Sequence, residues 1–281
     1  MGKLFGLVGQ PLGHSMSPIM HNTEFKELGL PHHYQPFELR EDELEEGIKA
    51  LRLLGVEGFN VTIPHKVSII PMLDEVEQEA MEIGAVNTVY RRGDLLIGAN
   101  TDGQGYLQSL LKLTGEDSLI NKKVLVVGAG GAARAVAVSI SRSGVGSLTI
   151  ANRTLDKAEK LSSVCRPYAT VDAISLEILN SSLESYDIVI NTTSIGMSPE
   201  INNVPLPVQN VREGVVMSDL IYNPLETLWL KQGREQGAIT SNGLSMFVEQ
   251  GALAFEKWLG IKPDRSRMKE TVLKKLGGQQ C

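Results

Sequence analysis

The sequence predicts an α/β protein of two domains, one of them a doubly wound parallel sheet with helices on both faces. Uninterrupted apolar strands at 123–127, 187–191 and 215–220 alternate with helical patterns, which is how strands buried on both faces read. A glycine cluster follows the first of these strands and opens an alanine-rich helix. The length of 281 residues also exceeds what one domain of ordinary size holds.

In chain order, residues 3–8 read as a first strand. Ser17 then predicts an N-cap with Pro18 at the first helical position, and the helix runs to about Leu28 before Gly29 stops it. A second strand is expected at 34–38, an acidic amphipathic helix over 41–54 closed by Gly55, and a third strand at 58–63. Strands at 86–90 and 95–98 flank "RRGD", a hairpin signal. After 123–127 come a helix to about Ser143, a strand at 147–151, and a helix from Leu155 to about Val164. Beyond Asn242 the chain turns helical to its end, with Met246, Phe247, Gln250, Ala254, Phe255 and Trp258 at helical spacing. A helix of that size can return to pack on the first domain.

Composition narrows the function. Apolar residues make up 42% and charged residues 21%, ordinary for a globular protein with a real core. The net charge of −6 argues against a nucleic-acid partner, which leaves a basic stripe. No apolar run approaches the ~20 residues of a membrane span, and the start "MGKLFGLVGQPLGHS" is too short for a signal segment. Cys165 and Cys281 cannot build a disulfide framework, so a reducing cytoplasm is expected. The histidines show no ligand spacing, and no metal is expected. A small-molecule ligand is the natural partner, bound by a monomer or homodimer.

"VLVVGAGGAAR" contains Gly128-x-Gly130-x-x-Ala133. Its glycines permit a tight turn and let backbone N–H groups at a helix N-terminus approach a pyrophosphate. The strand before and the helix after make this a Rossmann-like dinucleotide site, with Gly128, Ala129, Gly130, Gly131 and Ala132 along the phosphates. About twenty residues on, such sites usually place an acid on the ribose hydroxyls. Here "LTIANRT" at 148–154 supplies Asn152, Arg153 and Thr154 instead, with Lys157 one turn on. A guanidinium holds a 2′-phosphate where a carboxylate would repel it. The expected cofactor is NADP.

The first domain carries polar residues that packing does not require. "GHSMSP" sets Ser15 and Ser17 ahead of a helix start, a setting that suits a carboxylate. "NVTIPHK" presents Thr62 and Lys66, "GAVNTV" presents Asn87, and "NTDGQG" puts Asp102 in a turn. Read singly, these are a cap, a solvated charge, a strand-edge amide and an aspartate bonding its own backbone.

Together and in order they resemble the shikimate dehydrogenase family. The matching pieces are "SMSP" (15–18), "NVTIPHK" (60–66), "GAVNTV" (84–89), "NTDGQG" (100–105), "GAGGAARA" (128–135), "ANRT" (151–154), "NTTSIGM" (191–197), "DLIYNPLET" (219–227) and "NGLSMFVEQG" (242–251). The resemblance implies NADPH-dependent reduction of 3-dehydroshikimate to shikimate, a step of aromatic amino-acid biosynthesis. By it, Ser15 and Ser17 hold the substrate carboxylate, and Thr62, Asn87, Tyr222 and Gln250 bind ring hydroxyls or carboxylate. Lys66 and Asp102 match the catalytic pair, and Gly243 and Met246 lie near the nicotinamide. It also implies an α/β substrate domain over 1–103 and 243–281, completed by C-terminal helices, with the NADP domain inserted at 104–242. The substrate then lies in a cleft between domains. Two alternatives stay open: a quinate or dual quinate/shikimate dehydrogenase, and a module that senses shikimate-like molecules without turnover.

Overall fold

The computed structural model describes residues 2–179, 183–209 and 211–277. The last expected helical residues, 278–281, and with them Cys281, lie outside the described residues. The chain forms two compact units, Met1–Thr101 with Val248–Cys281, and Asp102–Phe247.

The first unit begins with β1 (Leu4–Gly9), α1 (Ser17–Glu27), β2 (His33–Glu38), α2 (Leu44–Leu53) and β3 (Gly58–Val61). It continues with β4 (Glu75–Val76), α3 (Gln78–Ile83), β5 (Thr88–Arg92) and β6 (Leu95–Ala99). Six strands lie in the order β2-β1-β3-β5-β6-β4. β1 runs parallel to both β2 and β3, while β5 is antiparallel to β3 and β6. β4 and α3 were not read in the sequence, because elements of two and six residues carry too few apolar positions to set a period.

Three expected boundaries move, each for a local reason. Ser17 is not the N-cap. Met16 holds that position with no side-chain cap bond, and Ser17 is the first helical residue. The Ser15 hydroxyl accepts from the Ser17 N–H at 3.3 Å, so the chain has turned one residue earlier than a serine cap requires. The helix expected over 41–54 opens as a 3₁₀ turn, Glu41–Glu43, in which the Glu43 carboxylate accepts from the Arg40 N–H at 3.0 Å. β3 ends at Val61 because Pro64 has no N–H to give a ladder.

The second unit holds α4 (Asp102–Thr114), β7 (Lys123–Val127), α5 (Gly131–Arg142), β8 (Ser147–Asn152), α6 (Leu155–Cys165) and β9 (Val171–Ser175). β10 (Ile188–Asn191), β11 (Val216–Asp219), α7 (Leu228–Glu235) and β12 (Ile239–Ser241) follow. Its sheet order is β12-β11-β10-β7-β8-β9, with every pair parallel. Taken in chain order from β7, this is the 3-2-1-4-5-6 arrangement of a dinucleotide-binding sheet, which reverses direction between β7 and β10. Val124–Val127 are fully buried, as the apolar run requires.

The C-terminal stretch is two helices rather than one. α8 (Leu244–Leu259) is followed by α9 (Arg265–Gly277), because Gly260 takes a left-handed φ of 68° and Pro263 cannot continue a helix. In the first unit Trp258 covers β3 at Gly58, where a Cβ would run into the indole, and its Nε1 donates to the Val89 carbonyl at 2.9 Å. Phe5, Phe25 and Phe255 fill the same core. α9 is fastened to α1 by charge. The fully buried Glu24 accepts two bonds of 2.8 Å from the Arg267 guanidinium and one of 2.8 Å from the Asp264 N–H. Among the described residues no helix is long and apolar enough to cross a membrane.

Removing Arg267, itself partly exposed, leaves the fully buried Glu24 carboxylate with the Asp264 N–H. Arg267→Ala is therefore expected to lower the urea midpoint of unfolding. An unchanged midpoint would mean that water reaches Glu24 in the folded state.

Candidate functional site

In the second unit the groups singled out in the sequence gather at the C-terminal ends of the parallel strands. β7 ends at Gly128, whose φ of 114° is open to glycine, and whose N–H donates to the Ala151 carbonyl at 2.8 Å. A Cβ there would meet the Thr192 hydroxyl, which itself donates to the Val127 carbonyl at 2.7 Å. Gly130 caps α5 with no side-chain bond, so the first N–H groups of a twelve-residue helix have no side-chain partner. Gly130 and Gly131 are exposed, with open space where a Cβ would stand. Ala129 and Ala132 are half-buried beside them. This arrangement fits a pyrophosphate: donors converge on a space with no side chain in it.

One strand over, β8 ends in Asn152, whose amide donates to the Thr154 carbonyl at 2.9 Å and rounds the turn into α6. Thr154 stands at the cap without a side-chain bond to the helix. Arg153 and Lys157 are both exposed. Neither joins an ion pair among the described residues, which leaves two cations at a helix N-terminus.

At β10 and β11 a buried carboxylate organises the loops. Asp219 Oδ1 accepts from Asn191 Nδ2 at 3.0 Å and from the Ile221 N–H at 3.0 Å, and Oδ2 accepts from the Thr227 hydroxyl at 2.9 Å. Burial pushes its pKa up to about 6 although these donors pull it down. The residues downstream are thereby held. The Tyr222 ring packs on Phe247 with centroids 5.0 Å apart, and burial raises its phenol. Gly243 donates its N–H to the Ile221 carbonyl at 2.9 Å, and a Cβ there would enter the Leu220 backbone. Met246 is half-buried on α8.

The first unit has its own polar cluster, at the ends of β1 and β3 and the start of β5. Ser17 is buried and Ser15 half-buried at the head of α1. Thr62 follows β3 and donates its N–H to the Val8 carbonyl at 2.9 Å. Lys66 lies in the irregular turn beyond, where its carbonyl accepts from the Val86 N–H at 2.7 Å. His65 beside it is fully buried and bonds the Leu39 carbonyl at 2.7 Å. Asn87, 2% exposed, takes the Thr101 N–H on Oδ1 at 2.7 Å and donates to the Thr101 hydroxyl at 3.0 Å. Gln250 is half-buried on α8, next to Gly251, where a Cβ would press on Met20 of α1.

Asp102 corrects the sequence reading. It is not in a turn but is the first residue of α4, in the helix's first turn. The glycines at 103 and 105 mimic a loop, yet Gly103 is there because a Cβ would strike Ser139 of α5. A carboxylate in a first helical turn is favoured by the backbone dipoles.

The sequence reading passed over Asn60, Thr88 and Thr101, and over Asn191, Asp219 and Thr227. All six are buried polar side chains that bond one another within their units. The signal was present: an asparagine inside the apolar "GFNV" must find partners to be buried at all. Among the described residues no group of three or more His, Cys, Asp or Glu could hold a metal ion.

Comparison with known proteins gives the following. The family described as shikimate dehydrogenase substrate binding domain matches residues 7–89. Shikimate / quinate 5-dehydrogenase matches 109–203, and shikimate 5'-dehydrogenase C-terminal domain matches 243–273. The shikimate dehydrogenase (NADP(+)) of Bacillus mycoides (strain KBAB4) is 49% identical over 278 residues, covering 99% of this chain and 100% of that protein. A crystal structure of a shikimate dehydrogenase with NADP+ superposes with a TM-score of 0.91 at 40% identity, over 98% of this chain and 96% of that one. The enzyme of Thermus thermophilus with NADP(H) and shikimate gives 0.87 at 34% identity, over 97% and 99%.

Asp219 makes stability depend on pH. Its folded pKa lies above the ordinary carboxylate value, so the folded state holds the proton that the unfolded chain has lost. Between about pH 4 and pH 6 stability should therefore fall as pH rises, by up to about 3 kcal/mol. Asp219→Asn should flatten that segment of a pH series of urea unfolding curves. An unchanged slope would assign the titration elsewhere.

Proposed function

The chain belongs to the shikimate dehydrogenase family, and from that we infer that it catalyses the reversible NADPH-dependent reduction of 3-dehydroshikimate to shikimate, in the chorismate route of aromatic amino-acid biosynthesis. It is an oxidoreductase, and its cofactor is NADP. The single observation that carries the cofactor to this chain's own residues is Arg153 with Lys157: two exposed cations at a helix start, one strand from a glycine turn with open N–H donors.

The residue roles are our reading. Gly128, Ala129, Gly130, Gly131 and Ala132 receive the pyrophosphate, and Asn152, Arg153, Thr154 and Lys157 receive the 2′-phosphate. Gly243 and Met246 border the nicotinamide. Ser15 and Ser17, at the head of α1, hold the substrate carboxylate where the helix dipole favours an anion. Thr62, Asn87, Tyr222 and Gln250 bind the remaining polar groups of the ring. Bound NADPH supplies the hydride. Lys66 gives a proton to the oxygen that was the carbonyl and, while charged, stabilises negative charge developing there. Asp102 orients the Lys66 ammonium and accepts from a neighbouring ring hydroxyl. We assign residues 1–103 and 243–281, joined by Tyr222, to substrate binding and 104–242 to NADP. Two cysteines, of which Cys165 is a buried free thiol, suit a cytoplasmic protein, and we expect a monomer or homodimer.

The deciding assay follows nicotinamide reduction with shikimate and quinate, each crossed with NADP and NAD. Fast turnover of shikimate with NADP alone is expected. Comparable quinate turnover would move the chain to a quinate or dual-specificity role, and binding without turnover would make it a sensor. Arg153→Ala should raise the KM for NADP about tenfold or more while leaving that for NAD within about twofold. Equal losses for both would remove Arg153 from the 2′-phosphate. Lys66→Ala should lower kcat by about a hundredfold or more with a small change in KM. A change confined to KM would make Lys66 a binding residue.

A further inference from the structure

Tyr34 belongs to none of the sequence motifs, and it sits where the two ends of the substrate site are tied together. It lies on β2, at the edge of the first unit's sheet, and is 1% exposed. Three contacts hold it. On the open side of β2 the Asn22 amide replaces a missing strand: Nδ2 donates to the Tyr34 carbonyl at 2.7 Å, and Oδ1 accepts its N–H at 2.8 Å. Asn22 is on α1, the helix headed by Ser17. The ring stacks on His21 of the same helix, with centroids 4.6 Å apart and planes 22° from parallel. Trp258 closes the other approach at 5.9 Å. His21 is wholly buried with no hydrogen bond to either ring nitrogen, and burial pushes its pKa down to about 3, so it is a neutral aromatic wall.

The phenol of this fixed ring reaches along the sheet. It donates to Asn60 Oδ1 on β3 at 2.9 Å. Burial raises the phenol's pKa well above the usual value, so it stays a donor. With Oδ1 occupied, the Asn60 amide must point its NH₂ the other way. Nδ2 donates to the Asn87 carbonyl at 3.2 Å and to the Thr88 hydroxyl at 3.1 Å, and that hydroxyl donates to Asn87 Oδ1 at 3.0 Å. A continuous buried chain of bonds thus runs Tyr34–Asn60–Thr88–Asn87, and Asn22 and His21 tie its head to α1, the helix that carries Ser17.

We propose that Tyr34 is a positioning residue: through its hydroxyl it sets the Asn60 amide and so Asn87, while its ring and backbone hold α1, which carries Ser17, and it thereby fixes the distance between the carboxylate end and the ring-hydroxyl end of the substrate site. This rests on the reading of Ser17 and Asn87 as substrate ligands. An asparagine amide has two orientations unless a partner selects one. The phenol removes that freedom before substrate arrives, which is where binding sites gain affinity.

The test is steady-state kinetics of Tyr34→Phe, which keeps the ring and its stacking. The shikimate KM should rise about five- to tenfold, with the NADP KM unchanged and kcat lowered less than about threefold. Thr88→Val breaks the same chain one link on with a side chain of equal size, and should raise the shikimate KM in the same sense. It decides the matter if Tyr34→Phe does not fold. Arg267→Ala is the control for stability alone, and should leave the shikimate KM unchanged. If Ser17→Ala and Asn87→Ala raise the shikimate KM while Tyr34→Phe, folded, stays within about twofold of the parent, the proposal is overturned and the site reading survives. If neither Ser17→Ala nor Asn87→Ala raises it, the site reading falls and takes the proposal with it.

Discussion

Taking an amide or a carboxylate out of water costs several kcal/mol unless the protein returns the lost hydrogen bonds. In each unit that requirement is met near the ends of strands. In the first, Asn60, Asn87, Thr88 and Thr101 satisfy one another. In the second, Asn191, Thr227 and the Ile221 N–H surround Asp219. Both networks lie at the end of their sheet where loops and helix starts leave unpaired backbone donors. In the proposed site those donors receive a ligand's charged groups, and the buried networks hold the donors. Loosening Asp219 or Asn87 therefore disturbs the position of residues that neither touches.

How much of this was legible depends on what each feature leaves in the sequence. The parallel sheet of the second unit was legible because strands buried on both faces are apolar without interruption, and Val124–Val127 have no other use. The glycine turn was legible because Gly128 needs its left-handed φ, and Gly130 leaves the space before α5 without a side chain. The helix at Asp102 was not, since Gly103 serves close packing, and packing partners are distant in sequence. Ser17 misled for a related reason: a serine before a proline reads as a cap, and only the Ser15 contact moves the cap back to Met16. Tyr34 was invisible because its partners, Asn22, Asn60 and Trp258, are scattered along the chain, and an edge strand with an aromatic reads as ordinary core.

The site motifs stood between these extremes. Singly, Lys66, Asn87 and Asp102 have bland explanations, and only their joint order carries the family. The fold supplies a physical reason for that order. Thr62, Lys66 and Asn87 fall at the ends of adjacent strands β3 and β5, which pair through Asn60 and Thr88. Residues adjacent across a sheet end must recur at strand-to-strand intervals in the sequence, so the spacing of the motifs reports the spacing of the strands.

The proposed 2′-phosphate clamp is built differently from the proposed substrate cluster. Arg153 and Lys157 are exposed, and exposed ion pairs contribute about 1 kcal/mol or less each. Three modest effects add up here: two cations, and the N-terminus of the eleven-residue α6, whose cap residue makes no side-chain bond to it. Asp156, also in the first turn of α6, opposes them with a negative charge. Salt screens contributions of this kind, whereas the pyrophosphate contacts proposed at Gly130 and Gly131 involve backbone N–H groups common to both nucleotides. On that reading, raising ionic strength erodes the distinction between NADP and NAD faster than it erodes binding of the shared dinucleotide. The proposed discrimination is then an electrostatic property of one exposed turn, while the proposed substrate ligands are held by buried hydrogen bonds that salt does not reach.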